Sequence, residues 1–71
     1  MSTKILCPMA GTMWKILVKT GDQVAAGDTV AILESMKMEI PIEAEEGGVV
    51  QAIQAEEGVM LDEGAPVMTL A

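Results

Sequence analysis

The apolar positions of this 71-residue chain fall into short runs punctuated by glycine. A first apolar run at residues 4–7 ends at Pro8, and after Gly11 comes a longer stretch, residues 12–19, in which apolar and polar positions partly alternate. The segment Thr20-Gly21-Asp22-Gln23-Val24-Ala25-Ala26-Gly27-Asp28 follows, with two Gly-Asp turn signals and one apolar residue, Val24, between them. Residues 29–33 close the series with the apolar body Val30-Ala31-Ile32-Leu33. The same order then returns: apolar runs at residues 40–44 and 49–55, turns around Gly58 and Gly64, and a last run at residues 66–70. Short alternating runs bounded by Gly, Asp and Pro predict strands and turns. No stretch joins a helical apolar period to helix caps, so the expected class is all-β.

The recurrence is a repeat in register. Shifted by 37 positions, Gly11, Gly21 and Gly27 fall on Gly48, Gly58 and Gly64. Ile5 falls on Ile42, Cys7 on Ala44, Met13 on Val50, Ile16 on Ile53, Val24 on Leu61, Val30 on Val67 and Leu33 on Leu70. The chain is one domain, residues 1–71, made of half-repeats at about 1–36 and 38–71. Neither half can bury an apolar face alone, so the two are expected to pack about a pseudo-two-fold axis as two small antiparallel sheets, a flattened barrel or sandwich. The repeat also pairs Trp14 with polar Gln51, and Met13 with apolar Val50. Neighbours on a strand face opposite ways, so Trp14 is expected on the outer face, partly exposed.

Between the copies lies Glu34-Ser35-Met36-Lys37-Met38-Glu39. Two strands meet here without the Gly, Asn or Asp that tight hairpin turns use to reach positive φ. A local rule broken in this way tends to mark a functional position. By the repeat, Met38 corresponds to Met1 and Glu34 to Ala71, so the turn is the counterpart of the gap between the chain ends. One pole of the molecule is expected to carry the Lys37 turn and the other the two termini.

Composition narrows the chemistry. There is no His, one Cys, one Trp and no Phe or Tyr, so the core is to be built from Val, Ile, Leu, Ala and Met. Without His, triad and imidazole acid–base chemistry are excluded, and a metal site rich in nitrogen or sulfur is not expected. The single Cys7 forms no internal disulfide; it reads as a small core residue and fits a reducing compartment. No apolar run is long enough to cross a bilayer, and the expected location is the cytoplasm. The net charge of −7 is uneven: four Lys against three acids give +1 up to Lys37, and eight acids without a base give −8 beyond it. No basic patch or aromatic ladder is present, so a nucleic-acid partner is not expected. The pairs Glu45-Glu46 and Glu56-Glu57 read as turn or surface charge.

Lys37 remains. A lysine that acts as a nucleophile on its own account needs burial or a neighbouring cation. The sequence offers neither, since Glu34 and Glu39 flank an exposed turn. The chain therefore presents the amine for another enzyme to modify, and no catalytic residue of its own is expected.

Glu34-Ser35-Met36-Lys37-Met38-Glu39, set midway between two Gly-Asp-bearing half-repeats, resembles the biotinyl domain of biotin carboxyl carrier proteins, within the biotinyl/lipoyl attachment family. The resemblance covers essentially the whole chain. It implies a barrel–sandwich hybrid of two four-stranded antiparallel sheets, with biotin attached covalently to Lys37. Met36 and Met38 become flanking recognition residues, flexible and polarizable contacts for several partners, and Glu34, Ser35 and Glu39 the context of the hairpin. The partners implied are a biotin protein ligase, a biotin carboxylase, and a carboxyltransferase or decarboxylase subunit. Many relatives have Ala where this chain has Ser35, a small change. Trp14 runs to Gly21 without the protruding insertion of some bacterial acetyl-CoA carboxylase carriers, which points to the thumbless and short stand-alone types, including the carriers of pyruvate carboxylase-like systems. Glu45 stands where the repeat suggests a counterpart to Pro8. Two alternatives share the fold: a lipoyl carrier using the same Lys37, and an unmodified hybrid-barrel assembly module.

Overall fold

Each strand of the first half has a counterpart in the second at the 37-residue shift. The computed structural model describes residues 3–71, with β1 at Thr3–Leu6, β2 at Gly11–Ile16, β3 at Gln23–Val24 and β4 at Thr29–Ser35. Their counterparts are β5 at Met38–Glu43, β6 at Gly48–Ile53, β7 at Met60–Leu61 and β8 at Pro66–Leu70. Two four-stranded antiparallel sheets result, ordered β1-β8-β6-β3 and β5-β4-β2-β7. The all-β barrel–sandwich expectation is met. Met1, the counterpart of Met38, lies outside the described residues.

The strands are not dealt out one half to one sheet. The first sheet takes β1 and β3 from the first half and β6 and β8 from the second; the other sheet takes the complement. Turns lock the exchange. The Gly21 N–H donates to the Val50 carbonyl, and at the related place the Gly58 N–H donates to the Met13 carbonyl, at 2.8 and 2.6 Å. The Gly27 N–H donates to the Ala44 carbonyl as the Gly64 N–H does to the Cys7 carbonyl, at 2.7 and 2.8 Å. The segments around Val24 and Leu61, expected only as turns, therefore contain two-residue strands, each pairing with the other half. β2 ends at Ile16, short of the expected residue 19, as the chain turns toward β3.

The Gly-Asp signals have a local cause. Gly21 sits at φ 96°, where a side chain is strained. The Asp22 carboxylate accepts the Lys19 N–H at 2.9 Å, while the Asp22 N–H donates to the Lys19 carbonyl, closing the turn. Asp28 does the same for Ala25.

The core is built of paired positions: Ile5 with Ile42, Cys7 with Ala44, Met13 with Val50, Val30 with Val67, and Leu33 with Leu70 are all buried. Simple alternation fails at two pairs of irregularities. Register shifts at Thr29/Ala31 in β4 and opposite Val67 in β8 turn Val30-Ala31 and Val67-Met68 inward together. Shifts at Met13/Lys15 and Val50/Ala52 interrupt β2 and β6. A bulge of this kind re-aims side chains. It leaves Met13 fully buried while Trp14 is 42% exposed, the outward placement expected for Trp14.

Close backbone approach explains one glycine pair. A Cβ on Gly11 would stand 2.6 Å from the Glu34 carbonyl oxygen, and one on Gly48 would stand 2.7 Å from that of Ala71. Both neighbours are backbone and cannot swing away. Gly11→Ala or Gly48→Ala should therefore each destabilise the domain by about 1–3 kcal/mol, read as a lower urea midpoint at unchanged m-value. Gly11→Ala should also disturb the end of β4, where Lys37 is carried.

Candidate functional site

The site begins with strand register. Leu33 pairs with Ile40, Glu34 with Glu39 and Ser35 with Met38, which leaves Met36 and Lys37 as a two-residue loop. Both have positive φ, 52° and 65°. This is the left-handed geometry of a type I′ turn, whose twist matches that of the flanking strands. Asn-Gly is the usual filling. Two side chains with a Cβ cost about 1–2 kcal/mol each in this region, so the turn persists because its strands hold it.

Several features do the holding. Leu33 is fully buried on the inner face of β4, and Ile40 packs against the core from β5. Ser35 donates its hydroxyl hydrogen to the Ala10 carbonyl at 3.0 Å, tying the base of the hairpin to the β1–β2 connection. Gly11 lets β2 run close beneath Glu34. The repeat marked Gly11 as invariant between halves but did not say what lay against it. No pattern in the sequence pointed to Ala10, which contributes only a backbone carbonyl.

The six residues expected at the site are brought together, in two groups. Met36, Lys37 and Met38 are exposed at the tip, with Met36 at 92% and Met38 at 64%, so neither methionine belongs to the core. Ser35 is half-buried at the base. Glu34 and Glu39 face each other one step behind the turn, on the outer face of the sheet, because their neighbours Leu33 and Ile40 point inward. Two other acidic residues tie down the backbone or a hydroxyl elsewhere. Glu57 accepts the Ile16 N–H at 2.8 Å and Glu46 accepts the Thr3 hydroxyl at 3.2 Å. Cys7 is buried, with its thiol 2.9 Å from the Met9 carbonyl.

The site is thus an exposed amine on a strained turn with a firmly held base, at the junction of two interleaved halves. The chain belongs to the biotin/lipoyl attachment family: the model of that family, described as biotin-requiring enzyme, matches residues 3–70. A biotin/lipoyl attachment protein of Bacillus subtilis is 51% identical over 63 residues, covering 89% of this chain and 86% of that protein. The biotin carboxyl carrier protein of Streptococcus mutans is 42% identical over 64 residues, 90% of this chain and 49% of that one. The crystal structure of Kluyveromyces lactis urea carboxylase matches with a TM-score of 0.93 at 32% identity, over 100% of this chain and 6% of that one. The chain thus spans most of one of these relatives, about half of another and a small part of the third.

Two measurements test the site as described. Met36→Asn, placing a residue tolerant of left-handed geometry in the turn, should raise stability by about 0.5–1 kcal/mol, seen as a higher thermal midpoint. Replacing Met36 and Met38 together with Ala should leave the thermal midpoint nearly unchanged, since both side chains are solvent-exposed; a loss comparable to a core truncation, about 2–5 kcal/mol, would contradict the placement.

Proposed function

We propose that Lys37 carries biotin through an amide bond and that the protein moves a carboxyl group between a biotin carboxylase and a carboxyltransferase or decarboxylase, without catalysing either step itself. The observation that carries this reading is the two-residue turn at Met36-Lys37, exposed and held in left-handed geometry by paired strands. Membership of the biotin/lipoyl attachment family supports it. Bound biotin supplies a ureido nitrogen that takes up and releases a carboxyl group.

The residues of the chain present the amine, and other enzymes perform the chemistry. A biotin protein ligase would join the cofactor's carboxylate to the AMP portion of ATP, with pyrophosphate leaving. The unprotonated Nζ of Lys37 attacks that carbonyl carbon; a C–N bond forms, the bond to AMP breaks, and the amine's proton leaves to solvent. All four lysines are exposed, so exposure does not choose among them. Lys4 and Lys15 lie in strands, and Lys19 precedes the Asp22-closed turn; Lys37 alone occupies a two-residue hairpin. The turn aims the amine away from the body of the domain. Met36 and Met38 border it with adaptable apolar surface that several enzymes can grip in turn. The carrier operates in the cytoplasm in this reading, which the single buried Cys7 fits.

Position is the sharpest test. Lys37→Ala should abolish labelling by biotin, ATP and a biotin protein ligase, read by streptavidin blot. Exchanging Met36→Lys and Lys37→Met keeps composition and charge but redirects the amine. Labelling should fall by roughly 100-fold or more while the fold is retained, since misplacement of about 1 Å already costs that much in an oriented reaction. Equal labelling of the exchanged variant would overturn the role assigned to the turn. Intact mass of the protein from its own host separates biotin, lipoate and no adduct.

A further inference from the structure

The pseudo-two-fold repeat provides an internal control for the molecular surface, because the outer faces of the two sheets are built from equivalent positions. On the sheet that carries Lys37 these positions hold Met60, Trp14 and Ile32; on the other they hold Gln23, Gln51 and Thr69. Met60 is 76% exposed and Trp14 42%. The other sheet has Val49 and Leu6 as its exposed large apolar residues, while Thr69 accepts a hydrogen bond from the Gln54 amide at 3.0 Å. Each outer face therefore keeps two exposed large apolar residues, Leu6 and Val49 on one and Trp14 and Met60 on the other, and the face with Trp14 and Met60 is the one that carries the lysine hairpin.

Register fixes the distances. Met60 pairs with Thr12, Thr12 with Glu34, and Glu34 with Glu39, so these four form one row across the sheet, immediately behind the Ser35–Met38 pair that closes the turn. At strand spacings of about 4.8 Å, Met60 is about 10 Å from Glu34. Trp14, turned outward by the bulge, and Ile32 lie two residues farther from the tip than Thr12 and Glu34.

Charge narrows the occupant. Glu34 and Glu39 stand directly opposite each other, an arrangement of like charges that is unfavourable by itself; Glu43 lies on the same face. The cation on this face, Lys15, has its ammonium 5.3 Å from the centre of the Trp14 ring. A second copy of this chain would set acids against acids, at a net charge of −7 on each molecule. The fitting partner presents an apolar pocket bordered by Arg or Lys.

Proximity then selects among basic partners. Enzymes that act on the biotin ring work an arm's length beyond Nζ. The ligase must bring Nζ itself to an acyl carbon, and so must seat on the protein surface around the turn. We infer that the Met60–Trp14–Ile32 face, with Glu34 and Glu39, is the docking surface for the biotin protein ligase and supplies affinity beyond the hairpin itself. The inference rests on the carrier reading above.

The test replaces each apolar residue with the one its counterpart holds, a change the repeated backbone already accommodates. For Trp14→Gln with Met60→Gln, the KM of biotinylation for the carrier should rise tenfold or more with kcat within twofold, and the urea midpoint should stay close to wild type. Met60→Gln alone should raise KM about threefold, in line with one exposed anchor of a shared hot spot. Gln23→Ala with Gln51→Ala, on the opposite sheet, should leave KM unchanged. An unchanged KM in the double variant, or an equal rise in the opposite-face control, overturns the docking surface and leaves the carrier reading intact. So does normal biotinylation combined with slower carboxylation of the pre-biotinylated variant, which would assign the face to another enzyme. Wild-type protein that accepts no biotin overturns the carrier reading and this inference with it.

Discussion

The architecture depends on reciprocal hydrogen bonding between the halves of the chain. The Gly21 turn of the first half bonds to β6 of the second, and the Gly58 turn of the second bonds to β2 of the first. Because each sheet mixes strands of both halves, neither half can form its sheet without the other. A chain of this size has little core to rely on. Interleaving makes one small core serve both sheets and turns short strands, two of them only two residues long, into parts of a closed assembly.

That assembly is what makes the Met36-Lys37 turn possible. A type I′ turn filled by two residues with Cβ atoms would open or shift in an isolated hairpin. Here β4 is a central strand, paired on one side with β5 and on the other with β2. Its end is pinned by buried Leu33, by Ser35 on the Ala10 carbonyl and by the close passage of Gly11. The backbone strain is thus localised where a lysine is presented, as strained residues commonly are at functional sites. Glycine or asparagine at Met36 would fill that position with less strain but would remove the apolar side chain beside the amine.

Symmetry also shows what has been specialised. The two halves agree in their core, their bulges and their positive-φ glycines. They differ at the ends and on the outer faces. At one end a continuous chain makes the lysine turn; the related end is the gap between β8 and β1, which pair with each other. On the outer faces, Trp14 and Met60 stand where the other sheet has Gln51 and Gln23. These differences set the Lys37 pole apart from an otherwise duplicated scaffold.

The sequence by itself determined the strand class, the 37-residue repeat, the paired core positions and the lysine turn, because each is written in local signals: period-two apolarity, Gly-Asp turns and the absence of a turn-former at Met36-Lys37. It also placed Trp14 outward, because the repeat compared it with Gln51. Only the tertiary structure decided which strands share a sheet, since hydrogen-bonded pairing between distant segments leaves no local trace. The same holds for the strands at Gln23–Val24 and Met60–Leu61, too short for any period to show. The bulges that bury Val30 with Ala31 and the carbonyl of Ala10 under Ser35 are likewise set by backbone packing in three dimensions, and for Gly11 the repeat marked the position but not its approach to Glu34.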